Sequence, residues 1–308
     1  MRKRLKSLIL IIILCTVSAK LKAQHSFPFN SGPVMNKFQD SLIKLSEVTF
    51  NATTNSERYT QNAAFIKTLV NSLKTQGSFL FPFDSLKKIT ILKSPDNSFR
   101  IFSWYLPLDD GSYRFFGTIQ MATKDGKLKM FPLIDDTSNI KDTNLITGNK
   151  NWYGARYYEI IPVIMNGRPP YYVLIGWKGN SLKTSKKVID VLSFNKEQQP
   201  VFGKPVFEEA KSTATKNRIV FEYNKQNTMT LTLDKNVNMI VFDHLAPISE
   251  EMTGNFEYYA SDLSFDAYKL LNGRLKLVEN IELKNEPNEM DDLFSDPKDK
   301  KIKTIKKL

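Results

Sequence analysis

The chain has 308 residues, of which 41% are hydrophobic and 25% charged, with one cysteine and a formal charge of +12. That length suits one large or two smaller domains with a substantial core, and a single cysteine argues against a disulfide scaffold or a thiolate metal centre. The charge is terminal: residues 1–23 hold six Lys or Arg and no acid, residues 298–308 carry +5, and residues 24–297 are left with +1, so the near-neutral body offers no general nucleic-acid surface.

The first residues, MRKRLK, lead into a 12-residue apolar run from Leu8 to Ala19 and then KLKAQ. A basic start, a short apolar core and a small residue form an export signal. Cleavage after Ala23 is expected, with Leu21 an imperfect residue three positions before the cut. The run is shorter than the roughly 20 residues of a membrane-spanning helix. Cys15 lies inside it behind the bulky Leu14, a poor setting for lipidation. The organisation read from the sequence is a signal over 1–23, a leader and helical hairpin over 24–78, an antiparallel β region over 79–285, and a charged tail over 286–308.

Val34 to Phe50 carries an apolar stripe of Val34, Met35, Phe38, Leu42, Leu45 and Val48 at helical spacing, with Pro33 suited to a first helical position. Glu57 to Gln76 repeats the pattern with Tyr59, Ala63, Ile66, Val70 and Leu73. Asn55 or Ser56 is expected to cap it and Gly77 to end it. Four strands follow, Leu86–Leu92, Phe99–Leu106, Tyr113–Met121 and Lys127–Leu133, divided by Pro95-Asp96-Asn97, Asp109-Asp110-Gly111 and Lys124-Asp125-Gly126. The Asp-Gly pairs suit tight hairpins, so this reads as an antiparallel meander.

The stretch from Asn151 to Phe194 organises the rest. Its apolar runs are Tyr157–Val163, Tyr171–Trp177 and Lys187–Phe194, reversed at Asn166-Gly167 and Lys178-Gly179-Asn180. Further strands are expected at Pro205–Phe207, Arg218–Tyr223, Thr228–Leu233, Met239–Phe242, Phe256–Tyr259, Asp266–Leu271 and Arg274–Val278. TMTLTLD alternates with Met229, Leu231 and Leu233 on one face, the mark of a half-buried strand. The fold class is therefore mainly β, antiparallel meanders in sandwich-like or propeller-like form, with an N-terminal helical hairpin. From Glu286 the chain turns acidic and then lysine-rich, a composition expected to give a disordered or loosely docked tail. Its lysines offer weak peripheral contact with an anionic membrane.

No catalytic signature stands out. GxSxG, HExxH, DxDxDG and a glycine-rich phosphate loop are all absent from the chain, and no cofactor is expected. His25 adjoins the cleavage site, while His244 follows Asp243 in VFDHLAP. Neighbours on a strand face opposite ways, so Asp243 need not orient His244; the pair is a possible polar site near a loop mouth, and His244 would have to serve any histidine-based hydrolase. The aromatics point to binding. Trp152, Tyr153, Arg156 and Trp177 are the expected members of an exposed patch, with rings to stack a glycan or anchor a protein and Arg156 to hold a carboxylate.

The phrases SPDNSFRIFSWYLPLDDGSYRFFG, NWYGARYYEIIP, YYVLIGWKGN, KKVIDVLSF and MIVFDHLAP resemble an uncharacterised exported family of Bacteroidota, over roughly Leu86 to Asp266. The resemblance implies export, to the periplasm, cell envelope or exterior, and carries no known site residues. The leading expectation is a non-enzymatic envelope protein that supports an assembly or binds a protein. A carbohydrate-binding or carbohydrate-processing protein, and a hydrolase using His244, are the alternatives.

Overall fold

A computed structural model describes residues 31–209 and 214–282. The expected signal, Cys15, His25 and the charged tail lie outside the described residues. The fold is mainly β, 44% strand, with curled antiparallel sheets and an N-terminal two-helix hairpin. Among the described residues no helix is long and apolar enough to cross a membrane.

The hairpin is α1 (Gly32–Asn51) and α2 (Asn55–Lys74). Thr54, not Asn55 or Ser56, caps α2, its side chain accepting from the Glu57 amide. The buried faces are rotated from the expected stripes. Val34 and Val48 are exposed, whereas Met35, Leu42, Ser46 and Thr49 are buried. Ser46 and Thr49 tolerate burial because their hydroxyls donate to the Ile43 and Leu45 carbonyls at 2.7 Å. On α2 the buried side chains are Asn62, Phe65, Leu69, Ser72 and Leu73, and Tyr59 is exposed. Asn62 takes a core position because its Oδ1 accepts the Trp104 indole N–H at 2.8 Å.

The first sheet runs β1 (Thr90–Lys93), β2 (Phe99–Pro107), β3 (Tyr113–Met121), β4 (Lys129–Ile134) in spatial order, the expected meander. Its first strand starts at Thr90, not Leu86, because a turn closes Leu86 N–H onto the Phe83 carbonyl. The second sheet contains β5 (Thr147–Gly148), β6 (Arg156–Met165), β7 (Arg168–Gly179), β8 (Thr184–Phe194) and β9 (Pro200–Phe202) in the order β5-β9-β8-β7-β6. The third uses β10 (Phe207–Glu208) and β11 (Thr215–Lys216), while β12 (Ile219–Asn224) returns to pair with β8 in the second. Then β13 (Leu231–Asp234), β14 (Met239–Pro247), β15 (Tyr259–Leu271) and β16 (Arg274–Val278) complete the third sheet, ordered β11-β10-β16-β15-β14-β13. Phe256–Tyr258, expected as strand, is a short 3-10 turn that leads into β15.

Three cores stack these layers. Phe102 and Trp104 of β2 pack on the helices with Met35, Leu42, Phe65 and Leu69. The opposite face of the first sheet, with Phe99, Ile101, Phe115 and Ile119, meets Tyr172, Leu174, Val188 and Leu192 of the second. Alternate residues of those same strands, Tyr171, Val173, Ile175, Ile189 and Val191, meet Leu231, Ile240, Phe242 and Tyr268 of the third. Both faces of β7 and β8 are thus covered, which is why they read as continuous apolar runs. No core cluster among the described residues joins the first sheet to the third.

Candidate functional site

The segment from Trp152 to Arg156 runs from beside the end of the first sheet into β6 of the second. It bridges in parallel to Asp135, and Trp152 N–H donates to the Ile134 carbonyl at 2.9 Å. Because it runs between two packed sheets, its rings are enclosed: Trp152 is 0% and Tyr153 3% exposed. The exposed platform expected of Trp152, Tyr153, Arg156 and Trp177 is therefore corrected. Arg156 Nε donates to Thr90 Oγ1 at 2.8 Å. Trp177 is half-buried against the rings of Tyr105 and Tyr113, and its indole N–H donates to Ser185 Oγ at 3.0 Å.

Trp152 and Tyr153 instead close a buried polar circuit. Trp152 Nε1 donates to Tyr157 Oη at 3.0 Å, and Tyr157 Oη donates to Asp190 Oδ2 at 3.0 Å. Arg218 Nε stands 3.0 Å from Asp190 Oδ1, both side chains wholly buried, and the guanidinium lies 4.9 Å from the Tyr153 ring centre. Arg218 Nη1 also donates to the Thr143 carbonyl at 2.9 Å. Burial, then the Asp190 charge, pushes the Tyr157 hydroxyl well above its ordinary pKa. The circuit ties Thr143 and residues 152–157 to Asp190 of β8 and to Arg218 just before β12, and Trp152 is fully buried within it.

Lys178 is the second buried charge, 1% exposed. Its ammonium donates to Thr137 Oγ1, Tyr153 O and Gly154 O at 2.7, 2.5 and 2.8 Å and sits 4.3 Å from the Tyr153 ring centre. Desolvation pulls its pKa down from 10.5 to about 7, with Asp135 opposing. Between those values the unfolded chain binds more protons than the folded one, so stability rises with pH through this window. Urea melts should show a rise approaching ~1.4 kcal/mol per pH unit across about pH 7.5–9.5. Lys178→Met should flatten most of it, leaving the parts due to Lys187 and, toward pH 9, Arg100, both lowered by burial.

Asp243 and His244 do not form a joint site. Asp243 Oδ2 accepts the Thr230 amide at 2.9 Å on the inner face, whereas His244 points outward and its Nδ1 lies 2.8 Å from Asp266 Oδ2. The cross-strand partner is thus Asp266, whose other oxygen accepts the Asn280 amide at 2.9 Å. That hydrogen bond holds the imidazole pKa above its ordinary value. Asp266 gives the His244 ring its only hydrogen bond among the described residues; no serine or threonine hydroxyl joins it. Nor do the described residues contain a cluster of three His, Cys, Asp or Glu side chains placed to hold a metal.

An open concavity lined by cations lies elsewhere, on the seam between the second and third sheets. A cleft of about 390 Å³ is lined by Met165, Arg168, Tyr171, Lys204, Val206 and Arg274 together with three prolines, Ser193, Phe194 and Gly273. Its volume is within the range of ligand pockets. The Asn166-Gly167 turn places Arg168 at the start of β7, and the Asn272-Gly273 turn places Arg274 at the start of β16. Both turns use positive φ, which glycine adopts without a Cβ penalty. The Gly203 turn, at φ +91°, delivers Lys204, whose amide donates to the Asn217 carbonyl. The floor is Tyr171, whose hydroxyl donates to Gly273 O at 2.8 Å, with Lys204 Nζ 5.8 Å from its ring centre. No lining residue is acidic. Arg274 pairs with Glu208 on the rim at 3.3 Å, while Arg168 and Lys204 make no ion pair among the described residues.

Sequence reading missed this cleft because its three cations come from separate turns. The available signal was Arg168-Pro169-Pro170 and Lys204-Pro205, prolines beside the cations that have no N–H to donate to a ladder. Compared with protein-family models, curated proteins and solved structures, the chain finds no match.

Proposed function

We propose that this is a non-enzymatic, exported binding protein of the cell envelope whose cleft takes an acidic, partly apolar segment of a partner protein. One observation carries the reading: three cations, two of them without an ion-pair partner among the described residues, ring an apolar floor with no carboxylate in the lining. An anionic side chain gains most where a cation stands beside low-dielectric surface, and Tyr171, Phe194 and Val206 supply that surface. Prolines on two sides narrow the accessible shapes without adding donors that need satisfying. Export rests on the amino-terminal pattern and envelope residence on the family resemblance.

Glycan binding has less support, since Trp152 and Tyr153, the rings proposed to stack a sugar, are buried. A fluorescein-labelled synthetic peptide of alternating aspartate and leucine is the direct probe. Its anisotropy should rise saturably with added full chain, and the affinity should fall as salt is raised, since exposed charge pairs are screened. A lysine-leucine peptide should not bind. Equal binding of both peptides, or none of either, contradicts the reading.

A further inference from the structure

The charge of the cleft is matched within the chain itself. Residues 286–296 read EPNEMDDLFSD, with Glu286, Glu289, Asp291, Asp292 and Asp296 and no Lys or Arg. Asp291-Asp292 is followed at once by Leu293-Phe294, two carboxylates and then two apolar side chains. The cleft presents the complementary order, a cationic rim over an aromatic and aliphatic floor.

The reach is sufficient. Arg274 on the cleft rim begins β16, and near the end of the described residues Ile281 N–H donates to the Phe265 carbonyl at 2.8 Å. Arg274 and Glu282 are thus separated by at most about 28 Å, at roughly 3.3–3.6 Å per residue. Residues 283–291 span up to about 30 Å on the same rule, enough to return Asp291 and Asp292 to the rim.

We infer that the segment Glu286–Asp296 occupies the cleft intramolecularly and competes with the acidic segment of a partner. The inference rests on the cleft being an acidic-peptide site. In this arrangement the tail keeps Arg168, Lys204 and Arg274 covered until a partner of higher affinity displaces it. Tethering gives the tail an effective concentration on the order of 1 mM, so a segment of intrinsic Kd near 0.1 mM weakens any competitor by about tenfold.

The test compares two full-length chains. One is unaltered; in the other Glu286, Glu289, Asp291, Asp292 and Asp296 are replaced by Gln or Asn. The probe is a fluorescein-labelled synthetic peptide of residues 286–296, followed by anisotropy. The neutralised chain should bind it about tenfold more tightly than the unaltered chain. Adding Arg168→Ala with Lys204→Ala to the neutralised chain should remove that gain. Equal affinity of the two chains overturns tail occupancy while leaving the cleft reading intact, provided binding still depends on Arg168 and Lys204. Binding that ignores those two residues, or no binding to the neutralised chain, overturns both.

Discussion

Arg218→Met should lower the melting temperature by about 10 °C, from a loss of about 3–5 kcal/mol. Arg218 and Asp190 are fully buried and face each other at 3.0 Å. Removing the guanidinium leaves the Asp190 carboxylate with the Tyr157 hydroxyl and the Val191 amide as its remaining partners in a dry site. It also removes the cation stacked over Tyr153 and the donor to Thr143 O. The double change Arg218→Met with Asp190→Leu should cost clearly less than the two single changes together, because neither charge is then stranded. Thermal denaturation of the four chains closes the cycle; strict additivity would mean that the pair is not coupled.

Gly154→Ala should be about as damaging as a cavity in the core, on the order of 3 kcal/mol. Gly154 holds φ +74°, and an added Cβ would stand 2.6 Å from Asp135 Oδ1 and 3.2 Å from Phe115 Cβ. Asp135 has little freedom to retreat. Its Oδ2 accepts the Phe115 amide at 2.9 Å and its Oδ1 accepts from the Thr137 amide and hydroxyl. The Gly154 carbonyl also accepts from Lys178, so displacing the backbone loosens that buried ammonium. Urea unfolding measures the loss. A change below about 0.5 kcal/mol, the range of an ordinary surface substitution, would show that the crossing segment can shift freely.

The alternation in TMTLTLD was readable because one side of β13 and of the residues leading into it meets the core: Met229 and Leu231 are buried while Thr228, Thr230 and Thr232 are exposed, although the strand itself begins only at Leu231. The Asn-Gly and Asp-Gly turns were readable for a local reason too, their backbone angles. What escaped depended on partners distant in the chain. Period two says which residues share a face but not that a second sheet covers the other face, so Trp152 and Tyr153 read as exposed and are enclosed. Asp266 could not be assigned to His244 before the β14–β15 register, with its irregularity between Asp243 and Leu245, was known. The helix stripes missed Asn62 and Ser46 because hydrophobicity does not register a polar atom whose hydrogen bond is made inside the core. The cleft was hidden most deeply: Arg168, Lys204 and Arg274 become one feature only when three turns converge on one seam.

The most direct test of acidic-segment recognition is charge reversal at the two cleft cations that have no ion-pair partner among the described residues. Full chain carrying Arg168→Glu with Lys204→Glu should bind the aspartate-leucine peptide at least about tenfold more weakly, a change of about 1.4 kcal/mol. It should acquire affinity for the lysine-leucine peptide, with its melting temperature essentially unchanged because both positions lie at the surface of the cleft. Undiminished binding of the aspartate-leucine peptide to that folded variant would contradict the cleft as the recognition site.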